Sequence, residues 1–86
     1  MGNEFAAALT DALENRFSTD SNEIAEVVER VEAGQEYEYT SHLELDSVES
    51  VVEGIENWSQ GQGVTAGWNR WIGVGVPDTD TSHLTV

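Results

Sequence analysis

Residues 61–77 read GQGVTAGWNRWIGVGVP, and the choice between strand and helix for the whole chain turns on them. Val64, Ala66, Trp68, Ile72, Val74 and Val76 fall on one parity, interrupted by Arg70. Thr65, Gly67, Asn69, Trp71, Gly73 and Gly75 fall on the other. Alternation rich in β-branched and aromatic residues predicts a strand with one buried face. Two arrangements are open. One is a single long bent strand. The other is a hairpin turning at Asn69-Arg70, a weaker turn signal than Asn-Gly, with Trp68 set opposite Trp71. Pro77 ends regular pairing or marks an edge.

Residues 36–45 alternate in the same way. Tyr37, Tyr39, Ser41, Leu43 and Leu45 share one side, and Glu36, Glu38, Thr40, His42 and Glu44 the other. That is a half-buried strand with one wet face, the pattern of an antiparallel sheet. The rest of the chain has helical spacing. Phe5, Leu9, Leu13 and Phe17 recur every four residues behind Asn3, a candidate cap. Ser18-Thr19-Asp20-Ser21 breaks the pattern. Asp20 and Glu23 then read as a capping box for a second helix, with Ile24, Val27, Val28 and Val31 on its inner face. Glu26 and Arg30 can pair on its surface, and Gly34 is the expected stop. Asp46 and Glu49 repeat the capping grammar ahead of Val48, Val51, Val52 and Ile55, in a third helix ending near Trp58.

The expected architecture is therefore one α+β domain over residues 1–77, three short helices packed on a small, mainly antiparallel sheet. A βαβ link through the third helix is the alternative. Residues 78–86, DTDTSHLTV, form a polar tail expected to be mobile or docked on a neighbour. DSNEIAEVVERVE and DSVESVVEGIE resemble each other, which reads as shared helix grammar rather than a duplication.

An 86-residue chain buries about 60% of the surface its unfolded form exposes, so its stability is marginal without help. There is no cysteine, which excludes disulfides and thiolate metal sites and gives weight to self-association. No apolar run reaches the roughly 18 residues of a membrane span. The start, Met-Gly-Asn-Glu-Phe-Ala, has neither the character of a signal peptide nor, with Ala6, the myristoylation pattern.

The formal charge is −14, from 17 acids against 3 basic residues, all arginine. Its placement is uneven. Residues 1–56 hold 15 acids and 2 arginines, a net −13; residues 57–77 hold only Arg70; residues 78–86 hold Asp78 and Asp80. In dilute salt such charge repels itself, whereas in molar salt the screening length falls to about 3 Å. Low lysine, abundant carboxylate and a modest apolar fraction resemble the proteomes of salt-in haloarchaea. The composition thus points to the cytoplasm of a high-salt organism or to a virion from such a setting. The competing reading is an acidic nucleic-acid mimic that inhibits a DNA-binding protein.

Motifs for chemistry are weak. The glycines of GQGVTAG come near a dinucleotide fingerprint but lack the strand before and the helix after. Asp78, Asp80 and Ser82 occupy calcium-loop spacing, yet His83 stands where glycine is required. His42 and His83 have no third ligand at diagnostic spacing. His42, on the wet face of its strand, reads as a solvated histidine. Asn57-Trp58-Ser59 matches a glycosylation pattern without any sign of export. No catalytic constellation stands out among so many serines and carboxylates, and three arginines make no basic face for nucleic acid. No enzyme activity, cofactor, metal, direct nucleic-acid contact or membrane contact is expected. A small-ligand regulator is a further alternative.

What remains is the acid-free aromatic–glycine segment. Interface cores lose charge and gain Trp and Arg. Trp68, Arg70, Trp71, Gly73, Val74, Gly75 and Val76 are accordingly the candidate interface, joining copies of the chain or partner protein subunits. The competing reading makes the same residues core. The functional expectation is a non-enzymatic structural or assembly subunit of a halophilic archaeon or of a virus infecting one.

Overall fold

The computed structural model describes residues 2–17, 20–76 and 81–86, with side chains from residue 4 onward. Among these residues there is no strand. Four helices follow in order: α1 (Gly2–Arg16), α2 (Ser21–Gln35), α3 (Val48–Ser59) and α4 (Val64–Gly75), with a 3-10 helix, Glu38–Leu43, between α2 and α3. Both α1 and α4 pack on α2 and α3, so the helices form a ring in the order α1, α2, α4, α3. The 3-10 segment carries the chain across the ring from α2 to α3. Leu9, Leu13, Ile24, Val31, Val51, Ile55, Trp68 and Ile72 fill the centre.

The α+β expectation, with its antiparallel sheet or its βαβ variant, is thus overturned, and both supposed strands fail for one reason. Val64, Trp68, Ile72 and Val76 lie four residues apart, a spacing that fits a period of two and a period of 3.6 equally well. Their neighbours decide. Val74, on the supposed inner parity, is 52% exposed, while Gly67 and Trp71, on the other parity, are buried. The buried set 64, 67, 68, 71, 72 steps by three and four, as on one helix face. Residues 36–45 repeat the coincidence. Tyr37 and Leu43 are six apart, which suits a period of two or three. Alternation would bury Tyr39 and expose Thr40; Tyr39 is 52% exposed and Thr40 is buried. The Thr40 hydroxyl donates to the carbonyls of Gly34 and, at 2.8 Å, Tyr37, which locks the 3-10 turn onto the end of α2.

Packing holds α4 together more than propensity does. Gly67, Gly73 and Gly75 each cost about 1 kcal/mol relative to Ala in a helix, and Val64, Thr65, Ile72 and Val74 are β-branched. Two glycines allow α3 and α4 to meet closely. A Cβ at Gly67 would run into the Ile55 carbonyl oxygen, and one at Gly54 would lie 2.6 Å from the Trp71 ring. Trp71 also meets Trp68 edge to face, centroids 5.9 Å apart, a favourable aromatic geometry. The two indoles meet as i,i+3 neighbours and not across a hairpin. The connection from α3 holds Gln60, Gly61 and Gly63 at φ +50, +80 and +104, conformations that suit glycine.

Helices α1, α2 and α3 form where the spacing predicts them, with local corrections. α1 begins at Gly2, so Asn3 stands in its first turn and not ahead of it. Asp20 caps α2, its Oδ1 accepting from the Asn22 N–H at 3.0 Å. α2 continues past Gly34, which instead faces Leu45 at a distance that leaves no room for a side chain. Ser47, not Asp46, caps α3, its Oγ accepting from the Ser50 N–H at 3.4 Å. The Ser18-Thr19 break and Pro77 lie outside the described residues.

Residues 81–86 dock on the chain itself. Leu84 is fully buried, and its carbonyl accepts from Trp68 Nε1 at 2.7 Å. Asn69 grips the Val86 backbone at both ends, accepting from its N–H at 2.9 Å and donating to its carbonyl at 3.3 Å. Arg30 donates to the His83 carbonyl at 3.1 Å. The expected Glu26–Arg30 pair is not formed; among the described residues the one ion pair is Arg16–Glu56, at 3.1 Å.

Candidate interaction surface

The seven candidate interface residues divide between the two sides of α4. Trp68, Trp71 and Val76 are buried in the chain's own core, and Gly75 abuts Leu43. Arg70, Gly73 and Val74 remain on the outside. Arg70 donates to Gln60 Oε1 at 2.9 Å and Gln62 Oε1 at 3.3 Å. Both acceptors are neutral, so among the described residues its charge has no ion-pair partner. Gly73 looks onto open space, and among the described residues Val74 is one of three large apolar ones left exposed, with Tyr39 and Val86.

Ala66 and Asn69 lie on the same outward arc, which holds no acid at all. The outward sides of the other helices differ. Glu4, Asp11 and Glu14 on α1, Glu26 and Glu29 on α2, and Glu49, Glu53 and Glu56 on α3 are all exposed. Among the described residues, the segregation of charge along the sequence thus becomes a segregation in space, with α4 as the uncharged flank except for Arg70.

A groove of about 460 Å³ runs between α1 and α3 on the acidic side. Its wall is Ala12, Val48 and Val52, and Asn15, Glu49 and Glu53 rim it. Arg16 also lines it but is held by Glu56. Sequence spacing marks Val48 and Val52 as core; nothing in it marks the gap left between them and Ala12. A second depression of about 300 Å³ lies at the 3-10 helix, walled by Gln35, Tyr37, Thr40 and Leu45. A third, of about 610 Å³, lies beside the α3–α4 connection.

Among the described residues no set of three or more His, Asp or Glu side chains could hold a metal ion. His42 is exposed as expected, but its Nε2 donates to the Gly75 carbonyl at 2.8 Å, closing the C-terminal end of α4. His83 meets Tyr37 edge-on at 4.9 Å, in a structural contact. Asp78 and Asp80 of the calcium-like spacing lie outside the described residues. Of the glycines of GQGVTAG, Gly61 and Gly63 form the turn into α4 and Gly67 lies within that helix; a helix does follow the turn, contrary to expectation, but a helix and not a strand precedes it. No described helix is long and apolar enough to cross a membrane. Thr65 Oγ1, in the first turn of α4, is buried without a hydrogen-bond partner.

Comparison with protein-family models, with curated proteins and with solved structures gives no match.

Proposed function

We propose that this chain is a non-enzymatic association subunit working at high salt, in a halophilic archaeon or a virus infecting one. The observation that supports this is the spatial division of charge. Carboxylates cover the outward sides of α1, α2 and α3, whereas the outward side of α4 has none and carries Arg70 and an exposed Val74. Exposed carboxylates hold water and cations. A flank without them, among the described residues, lets another acidic molecule approach with little repulsion. At molar salt, charge pairs weaken and apolar contact carries more of the association. A cytoplasmic setting and a virion are both compatible with this reading, and copies of the chain or partner protein subunits would share the flank.

Light scattering coupled to size exclusion, across 0.1–3 M KCl at about 25 °C, tests it. Oligomers that persist in molar salt and fall to monomer with Val74→Asp, at unchanged helical circular dichroism, are expected. A folded wild-type monomer at every salt and concentration would remove the reading. The exposed acids of three helices also suit an acidic mimic of nucleic acid. That alternative gains instead if a basic protein partner binds at low salt and is released steeply as salt rises.

A further inference from the structure

The groove between α1 and α3 and the outward side of α4 complement each other, and we infer that they join: α4 of one copy seats in the α1–α3 groove of the next. This rests on the association reading above and names the receiving surface. The occupant is a second copy of this chain, for three reasons. First, the groove wall is apolar, at Ala12, Val48 and Val52, and the outward side of α4 offers Val74, half exposed, as the matching apolar knob. Second, the groove rim holds Glu49 and Glu53, both exposed and without an ion-pair partner among the described residues. Arg70, the only charge on the outward side of α4, has neutral partners in its own chain. Seating α4 in the groove brings the uncompensated cation to the uncompensated acids. Third, Gly73 carries nothing that would hold the two surfaces apart, and a Cβ there meets no atom of its own chain.

The two surfaces are different patches of one molecule, α4 lying across the ring from α1. The contact is therefore head to tail. Such contacts close into rings or run on as filaments, unlike a two-fold pair that uses the same patch twice. The mass of the assembly should then rise with concentration beyond that of a dimer.

The test uses two full-length variants. Val74→Asp spoils the knob; Asn15→Arg with Glu53→Arg fills the groove mouth with two long side chains, a block that salt does not screen. All three positions are exposed, so folding is retained, which circular dichroism and thermal melting check. Gly73→Arg serves as a second knob variant should Val74→Asp disturb the helix end. In 2 M KCl each variant alone is expected to run as a monomer. An equal mixture of knob and groove variants is expected to give particles of twice the chain mass and no larger, since each pair retains one intact contact. Groove variants that still associate while knob variants do not would overturn the head-to-tail arrangement and leave the association reading standing. Failure of the mixture to associate would overturn it too. A wild type that never associates removes both.

Discussion

Helices α3 and α4 have the same length, 12 residues each, and pack on one another more extensively than any other pair. Their outer sides are opposites. α3 turns Glu49, Glu53 and Glu56 to solvent and buries Val51, Val52 and Ile55; α4 turns Ala66, Asn69, Gly73 and Val74 outward and buries two tryptophans. One helix turns a row of carboxylates to water, and the other turns out an acid-free side whose single charge is Arg70. The difference also separates what stabilises them. α3 has a side-chain cap and one interior glycine; α4 starts at an uncapped Gly63 and contains three glycines, so it depends on packing against α2 and α3.

The largest expected effect tests the inner side of α4. Trp68→Ala should cost about 3–5 kcal/mol, most of the stability of a domain this small, and leave no cooperative melting transition in dilute buffer. A near-native melt for this variant would break the assignment of Trp68 to the core. Next come two glycines of the same helix that should respond with opposite signs. Gly67→Ala forces a Cβ against the Ile55 carbonyl and should destabilise by roughly 1–3 kcal/mol. Gly73→Ala meets open space and should stabilise by about 0.5–1 kcal/mol through helix propensity alone. Denaturant titration of both reads the contrast directly, and equal effects would contradict the helical assignment of residues 64–75. Thr65→Val removes a buried hydroxyl that has no partner, and a gain of about 1 kcal/mol in the same titration is expected. Smallest is the surface pair on the wet side. Arg16→Ala should cost about 0.2–1 kcal/mol in dilute salt, because both partners are half exposed, and nothing measurable in molar salt. A loss that persisted in 2 M KCl would mean that this side is not governed by screened charge.

The same contrast explains what the sequence disclosed. α3 was legible because polar residues at Glu49, Glu53 and Glu56 interrupt its apolar ones, so the 3.6 period has two phases to show. α4 lacks that second phase. With no acid on its outer side, the buried residues at 64, 68, 72 and 76 stand alone, and spacing by four satisfies strand and helix alike. Trp71 was the discriminating residue, off the strand parity yet three from Trp68. In residues 36–45 the alternating glutamates imitated a wet strand face, while Thr40, the residue that turns inward, looks polar in any hydropathy scheme. The candidate surface was legible in charge but not in detail. The acid gap located α4, yet which of its residues face out follows only from the helix, which moved Trp68, Trp71 and Val76 inside and left Arg70, Gly73 and Val74. The α1–α3 groove was not legible, because a gap between helices has no linear trace.

The docking of residues 81–86 has a consequence for how the chain is made. Trp68, the largest side chain of the interior, finds the acceptor for its indole N–H only at Leu84, and Leu84 is itself wholly enclosed. Synthesis delivers all four helices before that closing segment. A nascent chain therefore holds an open seam between α2 and α4 until residue 84 is free to fold back, and a protease or a chaperone would meet the seam during that interval. The interior is therefore complete only once Leu84 is in place, after the four helices have been made.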